Sequence, residues 1–489
     1  MIGLFRKLPA SFLCFSLFFV GCGGGGSSDV TVGTTGADGA VVANTANTAT
    51  NTGAVNTGGG NAAPAPAPSQ VDIDLRAAIN NAGVVAAVAP AAQDPNKVAL
   101  GRALMFDKIL SGNKDISCAT CHAPGLGTGD ALSVSIGTGG VGAGQNRVLG
   151  AGRTFIARNA PPLYNLNGVD TMFWDGRVHN NNGTLETPAG NLLPQGLDSA
   201  LAAQAMFPVT NRAEMRGQSG DVTVESQANE IAVIDDADLQ AQWAALMDRL
   251  RAIPGYVALF QSAYPGVATN NLGFEHAANA IAAFEVDQFG TLNSPFDRYI
   301  GGDDTALSDQ QKQGALLFYG RARCAACHRG ALLSDFQFHN IATPQIGPGV
   351  GAAAPLDLGR FEETGQNGDR FRFRTPPLRN VALTGPWMHS GPYASLEAVV
   401  GHYRNPAASL QNYNSNQLRG DLQSLVFTQQ QLSANNLNNL DPVLRTPIAL
   451  NNQDVADIVA FLNALTDPTA VQRASDVPAN VPSGLPVND

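Results

Sequence analysis

Two short strings in this chain have the make-up of a covalent cofactor site: Cys118-Ala119-Thr120-Cys121-His122 and Cys324-Ala325-Ala326-Cys327-His328. Each is a C-x-x-C-H, the attachment signature of c-type haem. Two thiols three residues apart can bond to the two vinyl positions of one porphyrin, and the adjacent histidine then lies beneath the ring, where it can ligate the iron. Other uses of cysteine pairs fit less well. A structural zinc ion would draw two such pairs into one tetrahedral site, yet these lie far apart and both end in histidine. A thioredoxin-like pair needs neither that histidine nor a second copy. The sequence therefore predicts two covalent haems, with His122 and His328 as proximal ligands.

The remaining cysteines agree with this. Of six in the chain, Cys14 lies in an N-terminal apolar run and Cys22 directly follows it. None is left for a structural disulfide, the pattern expected when haem is attached outside the cytoplasm. Arg6 and Lys7 form a positive n-region and Leu8 to Val20 an apolar h-region, too short for a comfortable membrane span. Residues 1–21 read as a signal peptide. Phe19-Val20-Gly21-Cys22 resembles a bacterial lipobox, with Phe where Leu is usual. That resemblance implies lipidation of Cys22, and Gly23, which is not an acidic retention residue, implies the outer membrane of a Gram-negative cell. Ordinary secretion is the alternative. Either places the protein in the periplasm, touching membrane only through its anchor.

From residue 22 to about residue 70 the chain is mostly Gly, Ser, Thr, Ala, Asn and Pro, with no aromatic residue. Such a segment cannot bury enough apolar surface to offset its ordering entropy, and it reads as a flexible tether. Residues 469–489 read as a similarly loose tail. About 400 residues remain, enough for two domains. The net charge is −11, or −13 once Arg6 and Lys7 leave with the signal. Nucleic acid is excluded as a natural partner; an acidic surface suits a basic electron donor, although acidity more often serves solubility.

The elements that must position the haems repeat. Ala103-Leu104-Met105-Phe106 precedes the first haem string and Ala315-Leu316-Leu317-Phe318 the second. Asp94 can cap the first helix, with Pro95 in its first turn, and Ser308 with Gln311 forms a capping box for the second. Each half closes on an amphipathic helix: Phe274, Ala277, Ala278, Ile281 and Phe284 in one, Val455, Ile458, Val459, Leu462 and Leu465 in the other. The expected fold is mainly α: two cytochrome c-like haem domains, 71–300 and 301–468, joined by long Gly/Pro-rich loops with few strand signals.

Beyond the haem strings, several landmarks occur in order: Arg158-Asn159-Ala160-Pro161, Phe173-Trp174-Asp175-Gly176-Arg177, Ser294-Pro295-Phe296-Asp297-Arg298-Tyr299, Phe338-His339-Asn340, and Leu378-Arg379-Asn380-Val381 through Pro386-Trp387-Met388-His389-Ser390-Gly391. With them the chain resembles, from about Leu100 to Leu465, the bacterial di-haem cytochrome c peroxidase family, which includes MauG-like enzymes. The resemblance implies that the first haem binds hydrogen peroxide and the second supplies or stores electrons. Members that require reductive activation carry a distal histidine after the first haem string. Ala123 to Ala157 contains none, so the first iron is expected to be open to peroxide. His179 is the one rival for that position, and its neighbours Asn180 to Gly183 read as an exposed loop.

The resemblance also implies roles for particular residues. Glu214 is the acid/base that moves a proton from the near to the far peroxide oxygen, and Gln204 its hydrogen-bond partner. The stretch between Arg177 and Gln204 is longer than the family usually has. Trp174 matches the tryptophan that bridges the haems. Asn159, Thr384 and Pro386 match the positions that hold a calcium ion between the domains, by oxygen ligands. Fourteen residues past His389, where electron-entry haems use Met, stands Tyr403, preceded by His402. Adjacent helical residues point about 100° apart, so only one can face the iron. Tyr403 matches the MauG-like pattern and is the expected ligand; a phenolate stabilises oxidised iron where Met raises the potential. Met388, His276 and His339 read as structural.

Three functions follow. In the first, peroxide is reduced with electrons from a small cytochrome c or cupredoxin. In the second, peroxide is used to oxidise Trp or Tyr residues of a partner protein. A non-catalytic electron-transfer lipoprotein is the third, but it leaves Glu214 and Gln204 without a purpose.

Overall fold

The computed structural model describes residues 68–427 and 435–488. The expected signal peptide, Cys22 and the tether as far as residue 67 lie outside the described residues. Asp94 caps the helix Pro95–Phe106, its side chain accepting from the Asn96 N–H at 2.8 Å. Ser308 and Gln311 close the expected capping box at the head of Asp309–Tyr319. Each of these helices crosses the closing helix of its own half, Phe274–Phe289 in the first and Asn452–Asn463 in the second. Both crossings are made at a glycine. A Cβ on Gly101 would lie 1.9 Å from the Ala280 carbonyl oxygen, and one on Gly314 would lie 1.8 Å from that of Asp457. Only a residue without a side chain lets the backbones approach so closely.

Two hydrophobic cores follow from the two crossings. The first joins Leu104, Phe106, Phe284 and Phe289, with Phe106 and Phe284 edge-to-face at 6.0 Å. The second joins Phe296, Phe318, Phe461 and Leu465, with Phe461 edge-on to Phe296 at 5.1 Å. The described residues nevertheless form one compact unit. A buried guanidinium fastens the halves: Arg158 makes a two-pronged bond to Asp357 (2.7 and 2.8 Å) and also pairs with Asp175, which takes Arg177 at 2.9 Å.

The chain ends depart from expectation. The helix Gln70–Asn81 packs against the second core, through Leu75 and Ile79, and not against the first. Asp72 binds Lys312 at 2.7 Å and Arg76 pairs with Asp304. The tail, expected to be loose, lies along the first core. Ala470 and Val481 are buried there, Tyr164 donates to the Ala470 carbonyl at 3.1 Å and Ser483 to Asp107 at 2.6 Å. Few apolar residues suffice to fix a segment when each enters an existing core, and composition averages hide this.

Strands are few and short. Thr171–Met172, Val178–Asn181 and Thr184–Glu186 form a three-stranded antiparallel sheet. Asn180 to Gly183, expected as an exposed loop, belongs to its hairpin. Asn182 and Gly183 both have positive φ, as a two-residue type I′ turn requires. Phe338–His339 pairs with Phe373–Arg374, and Gln345–Ile346 with Val426–Phe427.

Candidate functional site

The first haem string forms one helical turn, Cys118–Cys121, whose head is held by the Ser117 N–H donating to Thr120 Oγ1 at 3.0 Å. The His122 N–H closes back on the Cys118 carbonyl at 2.9 Å, and its Nδ1 lies 3.1 Å from the Thr128 carbonyl. A carbonyl can only accept, so Nδ1 carries the proton and Nε2 offers its lone pair. The second string repeats this geometry: the His328 N–H meets the Cys324 carbonyl at 2.9 Å, and Nδ1 lies 3.0 Å from the Leu333 carbonyl. Burial lowers the pKa of both imidazoles, that of His328 to about 4, which keeps them neutral. It also pushes the Cys118 and Cys324 thiols up to about 12, with the Glu285 carboxylate adding to the effect at Cys118. Such apolar surroundings suit thioethers and oppose zinc-binding thiolates.

A cavity of about 530 Å³ opens over the first string. Cys118, Cys121 and His122 line it together with Trp174, Gln204 and Glu214, residues drawn from four separate segments of the chain. Gln204 lies in the last turn of the short helix Ala200–Ala205, whose Ser199 cap accepts from the Ala202 N–H at 3.1 Å. Glu214 sits in a wide i→i+5 turn, Arg212–Arg216, a form that recurs at functional sites. Asn211 Oδ1 accepts from the N–H groups of Ala213 and Glu214, at 2.9 and 3.1 Å, and so fixes the turn. Burial raises the Glu214 carboxyl above the ordinary carboxylate range, opposed by the charges of Arg177 and Arg158. A carboxyl shifted in this direction is the better able to carry a proton. His179 is not among the lining residues; its Nδ1 lies 2.9 Å from Thr171 Oγ1.

Trp174 is 7 % exposed, and its carbonyl accepts from the Arg374 N–H of the second half at 2.8 Å. Asn159 is tied to both halves: its N–H donates to the His389 carbonyl at 2.7 Å and its side-chain amide to the Leu132 carbonyl at 2.7 Å. Leu132 and Pro386 line a common groove, and Thr384 Oγ1 donates to the Val381 carbonyl at 3.1 Å.

At the second string the helix Leu396–Arg404 presents His402 and Tyr403. Both nitrogens of His402 are engaged, Nδ1 with the Tyr393 hydroxyl at 2.8 Å and Nε2 with the Ile341 carbonyl at 2.7 Å. Tyr403 lies round the helix. Burial raises its phenol far above the usual value, and Cys327 and Cys324 are near enough to add to the shift. Met388 takes a long contact from Thr343 Oγ1 at 3.7 Å. His339 is held between Asp441 (2.6 Å) and Asp335 (3.2 Å), and His276 Nδ1 accepts from the Gly273 N–H at 3.2 Å. Cys327, Asp335 and His339 could reach a common ion, but Cys327 belongs to the haem string.

Two lining residues escape a sequence reading. Glu285 is buried on the closing helix, with one carboxylate oxygen lacking a hydrogen-bond partner. It stands four residues past Ile281, on the apolar stripe, and that misplaced charge is its sequence signal. Arg374 reaches the cavity from the second half, and nothing in its local sequence marks it.

The family profile described as di-haem cytochrome c peroxidase matches residues 95–305. The methylamine utilization protein MauG of Methylorubrum extorquens is 34 % identical over 309 residues, covering 63 % of this chain and 69 % of that protein. Cytochrome c551 peroxidase of Pseudomonas aeruginosa is 33 % identical, covering 62 % of this chain and 69 % of its own. Among solved structures, a MauG-like protein associated with microbial copper homeostasis superposes with a TM-score of 0.55 at 26 % identity, over 78 % of this chain and 93 % of that one.

Proposed function

The chain belongs to the di-haem cytochrome c peroxidase family, and from that premise we propose that it reduces hydrogen peroxide at an open haem held by Cys118, Cys121 and His122. One observation carries the reading: a single cavity gathers that haem string with Glu214 and Gln204, and among the described residues no second histidine lines it. Bound there, the haem supplies the iron at which peroxide is reduced. Glu214 takes a proton from the near peroxide oxygen and returns it to the far one, so that the departing oxygen leaves as water. Gln204 orients that exchange by hydrogen bonding. Trp174 stands on the path by which electrons arrive from the second haem, held by Cys324, Cys327 and His328. Asn159, Thr384 and Pro386 would hold a calcium ion by side-chain and backbone oxygens. The donor is a small cytochrome c or cupredoxin in the periplasm, and Cys22 anchors the protein to the outer membrane.

A second reading has its own support. Tyr403 is the free member of the His402–Tyr403 pair, because both nitrogens of His402 are already bonded. A phenolate ligand favours oxidised iron, which suits an enzyme that oxidises Trp or Tyr residues of a partner protein.

The test uses fully oxidised holoprotein mixed with stoichiometric peroxide. Reaction without pre-reduction is expected, and Glu214→Gln should slow it by about 10²–10⁴-fold at unchanged haem content. An unaffected rate would remove Glu214 from the mechanism. Rapid discharge of the product by reduced cytochrome c selects the first reading; discharge by a Trp- or Tyr-bearing protein alone selects the second.

A further inference from the structure

Arg374 is a buried cation with no acid of its own. It is 5 % exposed and sits on the short strand Phe373–Arg374 of the second half, with Phe338 as its cross-strand partner. Its Nε donates to the Phe173 carbonyl at 3.0 Å and its Nη1 to the Thr375 carbonyl at 3.4 Å. These acceptors are neutral. Among the described residues no carboxylate forms an ion pair with it, and Asp175 acts on it only at a distance. Burial pulls its pKa down to about 10, against that single favourable charge.

The neighbouring guanidinium groups are provided for. Arg158 has Asp357 and Asp175; Arg177 has Asp175. Three guanidinium groups thus stand against two carboxylates. The other acids lining the cavity, Glu214, Glu285 and Glu363, form no ion pair with any of these three among the described residues, and burial shifts each towards its neutral form. A buried guanidinium left unpaired costs several kcal/mol, so the arrangement calls for an anion inside the cavity that Arg374 lines.

The cofactor carries such an anion. A c-type haem is tethered by its vinyl edge to Cys118 and Cys121, so its two propionate carboxylates project from the opposite edge. We propose that Arg374 pairs with a propionate of the first haem, so that the second half of the chain supplies the counter-charge for the cofactor of the first. Planar guanidinium and carboxylate meet in a two-pronged bond. A positive charge at this place stabilises reduced iron. The Arg374 backbone also donates to the carbonyl of Trp174, so one residue steadies both the haem edge and the aromatic ring beside it. The inference rests on the haem reading of the first string.

The experiment is a spectroelectrochemical titration of the holoprotein that follows the two haems separately by spin state, with resonance Raman of the propionate bending modes. In Arg374→Gln the reduction equilibrium of the first haem should fall about tenfold, or about 59 mV for one electron, and its propionate band should shift. The second haem should be unmoved. Arg374→Lys should keep most of the potential yet still shift the band, because an ammonium cannot make the two-pronged bond. If the glutamine variant does not fold, the lysine variant decides by its band alone. An unmoved potential and band, or a change at the second haem instead, overturns the inference. A native haem content below two per chain overturns the haem reading itself, a result distinguishable from either.

Discussion

Trp174 donates its indole N–H to the carbonyl of Asn159 at 2.9 Å, while its ring stands edge-on to His389, with centroids 6.5 Å apart. The triangle closes through the Asn159 N–H, which donates to the His389 carbonyl at 2.7 Å. His389 is in turn stacked on Phe373 at 3.4 Å, next to Arg374. The indole plane is therefore fixed by groups from both halves.

Replacing Trp174 with Phe would keep most of the ring volume and lose the N–H. The Asn159 carbonyl would be left buried and unpaired, at a cost of about 1–3 kcal/mol. Haem content should not change. Electron exchange between the haems should slow, because phenylalanine is the poorer relay. Flash reduction of one haem, read at the other, measures this. An unchanged exchange rate in a variant with both haems in place would leave Trp174 as packing alone.

What the sequence could disclose and what it could not divide along a physical line. The haem strings and the caps at Asp94 and Ser308 were legible because each is a local interaction spanning a few residues. The Asn182–Gly183 turn was equally local, and its dipeptide is a strong hairpin signal, so it was legible and misread. The crossing of the chain ends was not. Leu75 and Ile79, four residues apart, can share one buried face of the helix Gln70–Asn81, but their spacing does not say which of two cores receives it. Arg374 and Glu285 were hidden for a related reason: burial of a charge is a property of the folded chain, and only a break in an apolar stripe betrays it.

Glu285 yields a dependence on pH. Burial raises its carboxyl from the ordinary 4.5 to about 8. In the native protein it is protonated where the unfolded chain would ionise. Its favourable contribution is thus complete below about pH 4.5 and is lost as pH rises through about 8. Across that window the loss is on the order of 4 kcal/mol. Glu285→Gln, which keeps shape and neutrality, should flatten the decline without abolishing it, because Glu214 is shifted in the same direction. Urea midpoints at pH 5 and pH 8, followed by far-UV circular dichroism, make the comparison. A variant that retains the full wild-type slope would show that Glu285 does not titrate in this window.

The second haem offers the sharpest separation between adjacent residues. His402 bridges the Tyr393 hydroxyl and the Ile341 carbonyl, and Tyr393 in turn reaches Ser409 at 3.0 Å. To ligate iron through Nε2, His402 would have to leave the part-buried Ile341 carbonyl without this partner. Tyr403 has no such debt. Tyr403→Phe should therefore convert the second haem from six- to five-coordinate, visible as a change from low to high spin in the electron spin resonance of the oxidised protein. His402→Gln should leave that signal in place and lower stability by about 1–3 kcal/mol through the broken network. The reverse pattern, with spin state following His402 and indifferent to Tyr403, would make the imidazole the ligand and remove the support that the phenolate lends to oxidation of a protein partner.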